Sequence, residues 1–358
     1  MQGKMKAWVF YEPENMKLEE VDIPSIGPDE VLIRIKACGI CGSDIAYYWG
    51  DSSLETADGK GPLILGHEMT GEVAELGELP RELGLFQVGD RVAIDPVQYC
   101  NACEVCKKGQ PNLCENKSVL GVSVNGAFAE YMKSKYTSLF KLPGNVSFER
   151  GAFSEPLADA LYAVQNLEVN LGDFVVVIGP GPIGLAQAQL IKSSGAGTVA
   201  VAGTRDYRLE IARRNGADHV FNTADAGSPY YVPDITKKIA ELTGGRMADR
   251  VLVATGSPKA MELPFQLSGR RSVIVFFGLP GDADVIKVPA LQTILWDKKI
   301  RFSWLAPLTW PRAVQAIAAG LINVDALVTH RYTLAELIQG LEDVKNRKGN
   351  PLKALVIT

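Results

Sequence analysis

The run Phe174-Val-Val-Val-Ile178-Gly179-Pro-Gly181-Pro182-Ile183-Gly184 constrains the fold more than any other part of the chain. Its five apolar residues read as a strand buried on both faces, and Ile183 to Ser193 reads as a helix. The turn between them has the spacing G-x-G-x-x-G, in which each glycine has a task. The first permits the tight turn, the second lets backbone approach a pyrophosphate, and the third brings helix against strand. Free N–H groups at the helix start favour an anion. Thr198 to Ala202 follows as a second apolar strand. The expectation is a β-α-β crossover that binds a dinucleotide, with Gly179, Gly181, Pro182, Ile183 and Gly184 at the phosphates. An ordinary glycine-rich turn is the alternative, and the strand–helix–strand context argues against it.

Downstream the same alternation continues. Tyr207–Asn215, Ile235–Leu242 and Lys259–Leu267 read as helices, while Arg250–Ala254 and Ser272–Gly278 read as apolar strands. This predicts a parallel, doubly wound sheet over 157–297. Residues 1–156 have another texture. Short alternating runs at Met5–Phe10, Glu30–Ala37, Met69–Leu76, Arg91–Pro96 and Ala127–Met132 are punctuated by Pro24, Gly27, Pro28 and Gly89-Asp90, which predicts a β-rich, loop-rich domain. From 298 to 358 the pattern loosens into a helix at Pro311–Ala319, a segment at Ala326–Tyr332, a helix at Leu334–Lys345 and a strand at Lys353–Ile357. This tail is expected to return to the first domain. No internal repeat or low-complexity tract is found.

The second strand ends in Gly203-Thr204-Arg205, nineteen positions after Gly184. A site for NAD usually carries Asp or Glu there to bind the ribose hydroxyls. Gly203 removes that carboxylate, and Thr204 with Arg205 supplies a hydroxyl and a guanidinium suited to a 2′-phosphate, which favours NADP over NAD. Asp206 keeps the ribose alternative open, and a solvated loop arginine is the plainer reading of Arg205. Arg208, Thr255, Gly278 and Leu279 are further candidate contacts to the dinucleotide.

Four of the six cysteines, Cys100, Cys103, Cys106 and Cys114, fall within fifteen residues. Four thiolates make a closed tetrahedral zinc site, which braces a loop (about 96–116) and leaves no position open for chemistry. Disulfides are the alternative, disfavoured in a reducing compartment. Cys41 in CGICGSD, His67 and Glu68 in GHE, and Glu155 in SEPLADA form a more dispersed set. One thiolate, one imidazole and one carboxylate would leave a zinc coordination position free for water or substrate. Singly, each has a plain reading: Cys38 and Cys41 as small buried hydrophobes, His67 as a hydrogen-bonded core histidine, Glu155 as a carboxylate at a helix start. His219 and His330, the other two histidines, read as structural and as a domain-edge residue.

Thirty-seven Lys and Arg against forty-one Asp and Glu, with no basic block, exclude a phosphate-backbone binder, so no nucleic-acid partner is expected. Phe174–Ile191 is long enough to span a membrane but holds two prolines, three glycines and two glutamines, so no membrane segment is expected. The apolar run near Met5 is too brief for a signal-peptide core, and a cytoplasmic protein is expected.

Taken in order, CGICGSD, GHE-x2-G-x5-G, GDRV (Gly89–Val92), the four cysteines, SEPLADA and the glycine turn closely resemble the zinc-dependent medium-chain dehydrogenase/reductase family, nearest its sorbitol (polyol) dehydrogenase branch. The likeness spans essentially the whole chain. It implies an α/β protein: a GroES-like β-rich catalytic domain made from both chain ends, a Rossmann coenzyme domain inserted between, and commonly a homodimer or homotetramer. By matching position, Cys41 and His67 become ligands of a catalytic zinc. Glu155 stands where polyol dehydrogenases carry glutamate, Glu68 is a nearby carboxylate able to approach the metal, and Ser43 is the hydroxyl that meets the reacting alcohol. Tyr47, Tyr48 and Trp49 match aromatics that wall the family's substrate cleft. Two features depart from the pattern. Ala46 stands where the family often has a relay histidine, and between Ile300 and Trp310 no arginine aligns with the one that polyol dehydrogenases place near substrate. The implied reaction interconverts a secondary alcohol of a polyol, sugar or sugar acid and its ketone by hydride transfer. A simple secondary alcohol or an amino alcohol such as threonine is the alternative substrate, and a non-catalytic nucleotide-binding protein the alternative from another class.

Overall fold

The computed structural model describes residues 2–52 and 61–358, which divide into two compact units. The first comprises 1–156, 310–320 and 324–358, and the second 157–309 and 321–323.

The first unit is built from antiparallel strands: β1 (Lys4–Glu12), β2 (Asn15–Asp22), β3 (Glu30–Ile40), β4 (Leu63–Ile64), β5 (Glu68–Leu76), β6 (Arg91–Ile94), β7 (Val97–Gln98), β8 (Ser118–Val119), β9 (Tyr131–Lys135) and β10 (Leu139–Lys141). A three-stranded sheet runs β2-β1-β4, and β7 pairs with β8 as a short ribbon. The expected strand at Ala127–Met132 lies four residues later, because Ala127 and Phe128 donate instead to Gly66 O and Leu65 O. Alternation puts one face of each strand inward, so that Val31, Ile33, Ile35, Met69, Val73, Val92 and Ile94 meet in one core with Phe128.

The second unit holds β11 (Phe174–Ile178), β12 (Thr198–Gly203), β13 (His219–Asn222), β14 (Ala248–Val253), β15 (Ser268–Phe276) and β16 (Lys299–Phe302). All are parallel, in the order β13-β12-β11-β14-β15-β16. Counted within this unit the order is 3-2-1-4-5-6, which reverses beside β11 and opens a crevice at the carboxyl ends of the strands. All five residues of β11 are buried, each large side chain contributing about 1.5–3 kcal/mol. The helix expected over Lys259–Leu267 is two short helices, Pro258–Glu262 and Pro264–Leu267, because Pro264 lacks the N–H that would continue the first.

The strand β16 corrects a boundary. Residues 298–309 belong with the second unit rather than the tail, because Lys299–Phe302 pairs with Val273–Phe276 and completes the parallel sheet. Its short mixed sequence, KIRF, carries no apolar run that would announce it.

The chain then re-enters the first unit at the helix Trp310–Ala318 and ends in β17 (Val328–Thr333) and β18 (Lys353–Ile357). Strand β18 pairs antiparallel with β3, giving the order β10-β6-β5-β3-β18-β17 with β9 also on β3. Among the described residues, no helix is long and apolar enough to cross a membrane.

Candidate metal and dinucleotide sites

Three neighbouring strands of the first unit, β5-β3-β18, bring their ends together. Cys41 follows the last residue of β3, His67 precedes β5, Glu68 opens β5 and Lys353 opens β18. One ligand atom each of Cys41, His67 and Glu68 lies within 4.8 Å of the others. Cys41 is also the N-cap of the helix Gly42–Trp49, and its N–H donates to Asp44 Oδ2 at 2.8 Å. The other oxygen of Asp44, a wholly buried residue, lies 3.4 Å from His67 Nδ1. This carboxylate faces the ring at Nδ1 without a hydrogen bond, and Nε2 lies on the side of Ser43, whose Oγ is 3.4 Å away. Burial opposes the charged imidazole, but Asp44 and Cys41 outweigh it and hold His67 well above its usual pKa. Thiolate, imidazole and carboxylate in a negative field fit a divalent zinc ion.

Glu155 is not part of the tight group of three. It sits half-buried in the first turn of the helix Ser154–Leu167, near enough to raise the pKa of Lys353. Sequence reasoning missed Asp44 and Lys353. Asp44 lies inside the CGICGSD motif, three residues after Cys41 at capping-box spacing, which is the signal that marks it. Lys353, 285 positions from Glu68, has no local signal. Cys38 is fully buried, and burial pushes its thiol far up. His330 lies in β17 beside Thr329 Oγ1 at 2.9 Å, and His219 opens β13.

Cys100, Cys103, Cys106 and Cys114 gather their sulfurs within 4.8 Å of one another. Closest pairs are Cys100–Cys114 at 3.4 Å, Cys103–Cys114 at 3.9 Å and Cys100–Cys106 at 4.0 Å. Sulfurs around one tetrahedral zinc stand about 3.8 Å apart, so the donors fit that ion. Backbone N–H groups of Ala102 and Cys103, helped by the Cys114 thiol, pull Cys100 down to about 6.

In the second unit a groove of about 870 Å³ opens over the ends of β11, β12 and β14. Gly179, Gly181, Gly203, Thr204, Arg205, Arg208 and Thr255 line it. Pro182, Ile183, Gly184, Gly278 and Leu279 are not among its lining residues. Gly184 has a packing task, since a Cβ there would stand 2.1 Å from Gly179 O. Gly203 has one too: a Cβ would come within 2.5 Å of Pro180 Cγ. The missing carboxylate at this position therefore has a steric cause in this chain, beside any preference for a 2′-phosphate. Asp206, the ribose alternative, accepts from Asn222 Nδ2 at 2.7 Å and Ser228 Oγ at 2.6 Å. Among the described residues none holds the Arg205 guanidinium, whereas Arg208 bonds the Tyr207 hydroxyl. Lys259, missed in the sequence, adds a third cation to the lining.

Residues 27–144 match the alcohol dehydrogenase GroES-like domain, and residues 182–319 match the zinc-binding dehydrogenase domain. The sorbitol dehydrogenase of Bacillus subtilis (strain 168) is 32% identical over 354 residues, covering 98% of this chain and 97% of that protein. The chain belongs to the zinc-binding alcohol dehydrogenase family. The L-threonine 3-dehydrogenase of Pyrococcus furiosus, another relative, is 34% identical over 93% of this chain and 92% of its own. Among solved structures, a protein of Sinorhizobium meliloti 1021 bound to NADP superposes with a TM-score of 0.91 at 28% identity over all of both chains. An alcohol dehydrogenase of E. coli CFT073 complexed with NADH superposes with a TM-score of 0.89 at 28% identity over 99% of each.

Proposed function

We propose that this dehydrogenase interconverts a secondary alcohol of a polyol, sugar or sugar acid and the corresponding ketone, with NADP favoured over NAD. The observation that carries the reading is the group Cys41, His67 and Glu68, within 4.8 Å of one another with Ser43 beside it. Cys41 and His67 would hold zinc with a carboxylate from Glu68 or Glu155, and the four-cysteine lobe would hold a second, structural zinc. When bound at the first site, zinc supplies a Lewis acid that lowers the pKa of an alcohol oxygen. With both groups bound, Ser43 Oγ would accept the alcohol proton while passing its own onward, and the carbinol hydrogen would be given up as hydride to a nicotinamide coenzyme as the carbonyl forms. Ala46 carries no ionisable group, so the proton would pass onward by water or by the ribose hydroxyls of a bound coenzyme. A carboxylate in place of a second thiolate makes the donor set harder, which suits vicinal hydroxyls that chelate. The sorbitol dehydrogenase relative supports this class, and the threonine dehydrogenase relative supports an amino alcohol as the second reading.

Arg205, Arg208 and Thr204 in the groove support a 2′-phosphate, and the NADP-bound neighbour agrees with them. We also infer a homo-oligomer. Strand β16 ends its sheet, the adjoining helix Ala290–Leu295 buries no residue, and Val285, Leu291, Ile294, Phe302 and Leu308 are each two-thirds or more exposed. Exposed apolar side chains at a sheet edge are the kind of surface that a dimer covers, burying about 800 Å² a side.

The test is initial rates over polyols, aldoses, sugar acids, amino alcohols and simple alcohols, with NADP and NAD in parallel. Turnover concentrated on vicinal polyhydroxy compounds is expected. Turnover confined to threonine-like substrates transfers the site to the second reading, and silence throughout in zinc-loaded protein removes the substrate class.

A further inference from the structure

Asp206 is a second carboxylate that could meet a coenzyme ribose, but the structure engages it elsewhere. It opens the helix Asp206–Arg214, three residues beyond the end of β12. Its Oδ1 accepts from Asn222 Nδ2 at 2.7 Å and from Ser228 Oγ at 2.6 Å. Both donors are buried, and each is a pivot of the chain that follows β13. Asn222 Oδ1 accepts from the N–H groups of Ala224 and Asp225, both at 3.0 Å, and Ser228 Oγ accepts from the Tyr230 N–H at 3.0 Å. The chain then closes back on β13: the Asn222 N–H donates to Tyr230 O at 2.9 Å and the Val232 N–H to Asn222 O at 3.0 Å. One turn along the same helix, Glu210 Oε2 accepts from the Tyr230 hydroxyl at 2.5 Å. An amide held by three hydrogen bonds has one orientation, so residues 223–232 form a loop whose path is anchored on a single carboxylate.

The loop borders the coenzyme groove. Thr223, Val232 and Pro233 line it together with Arg205 and Arg208. Gly203 and Asn222 are register partners on adjacent parallel strands, and the Thr223 N–H donates to Gly203 O at 2.9 Å. The loop therefore leaves the sheet beside the strand end where the adenosine ribose of a dinucleotide is recognised.

We propose that Asp206 is a positioning residue for the coenzyme, which holds the 223–232 loop as a wall of the adenosine half of the groove and acts through that loop rather than on a ribose hydroxyl. This deepens the dinucleotide reading above and rests on it. The two roles differ in their consequences. A wall serves whatever adenosine lies against it, so its loss weakens ligands with and without a 2′-phosphate alike. A carboxylate on the ribose would favour the free hydroxyl and oppose the phosphate.

The experiment compares Asp206→Ala, Asp206→Asn, Ser228→Ala and the double variant Asp206→Ala/Ser228→Ala in the full chain. Calorimetric titration with 5′-AMP and with 2′,5′-ADP reads the adenosine half, and hydrogen exchange followed by mass spectrometry reads the 223–232 segment. Asp206→Ala is expected to weaken both ligands by the same factor, about tenfold or more, the value of a hydrogen bond to a charged group, with faster exchange confined to that segment. Asp206→Asn keeps an oxygen that accepts from both donors and recovers most of the affinity. Ser228→Ala costs less, and adding it to Asp206→Ala costs less than it does alone, because both act through one loop. Where Asp206→Ala melts too low to titrate, Ser228→Ala, which breaks one of the two ties, carries the same comparison. Weakening of 5′-AMP alone, with 2′,5′-ADP unmoved or tightened, would make Asp206 a ribose ligand and overturn the proposal. Unchanged affinity in Asp206→Ala, or no recovery in Asp206→Asn, also overturns it. Unaltered protein that binds neither NADP nor NAD would instead overturn the dinucleotide reading beneath it.

Discussion

Four sulfurs drawn from the fifteen residues Cys100 to Cys114 meet 3.4–4.0 Å apart at their closest pairs, whereas Cys41, His67 and Glu68 are delivered by the ends of different strands. The first cluster is local. Its lobe has a two-strand ribbon and two short helical turns, so the ion itself would supply much of its order. The second is held by the β5-β3-β18 sheet and the buried Asp44, and its donors converge through the fold. The difference teaches that loss of metal should act on stability at one site and on chemistry at the other.

The largest effect that would break this contrast is at Cys41. Cys41→Ser should lower kcat by about 1,000-fold, the several kcal/mol that a lost Lewis acid removes, while the coenzyme dissociation constant stays put. Stopped-flow turnover and fluorescence titration read the two. Next comes Asp44→Asn, which removes the buried charge facing His67 Nδ1 and should cost about 10–100-fold in activity or zinc affinity. Cys103→Ser should behave oppositely to Cys41→Ser. Circular dichroism should show a melting temperature lower by several degrees and metal analysis one zinc lost, with turnover of the folded fraction near normal. A Cys103→Ser protein that loses turnover without losing stability would erase the distinction between the two sites.

The glycine turn and its groove are also local, and smaller changes sharpen the comparison there. Replacing Arg205 by glutamine should weaken NADP about tenfold or more, the value of a charged hydrogen bond, and leave NAD unmoved; calorimetric titration of both coenzymes measures it. Glu210 gives the smallest effect. Arg213, the Tyr230 hydroxyl and Arg214 hold its carboxyl at about 2, below the ordinary 4.5. The folded state therefore binds fewer protons, so the stabilisation is complete above pH 4.5 and drains away as pH falls toward 2. Glu210→Gln should flatten that acid limb in denaturant titrations, modestly because the site is exposed.

Where structure follows from neighbours along the chain, it was legible. Strands Phe174–Ile178 and Lys353–Ile357 and the helix Ile235–Leu242 lie where periodicity puts them, since each carries its own burial pattern. The glycine turn and the four cysteines are equally local signals. The edge strand β16 escaped because a four-residue strand with two cations has no apolar run, and its identity comes from pairing with β15. The helix Gly42–Trp49 was read only as a motif and an aromatic run, although its capping box was in view. At the site, Cys41, His67 and Glu68 could be listed from sequence, but their convergence could not be derived from spacing. Lys353 illustrates the limit most clearly: a lysine opening a terminal strand looks like a solvated charge until β18 is seen to pair with β3.

The approach of Pro180 to Gly203 also bears on how this enzyme can change. An acidic side chain on that strand end, of the kind that binds the ribose hydroxyls in NAD sites, is not reachable in one step. The phosphate-binding turn would have to yield first, and a chain with Pro180 replaced and Gly203 retained would gain nothing by itself. Selection or design that proceeds one residue at a time would therefore meet a valley at this pair. Coenzyme choice is thereby coupled to the rigidity of the turn, and alterations at Thr204, Arg205 and Arg208 remain the accessible routes.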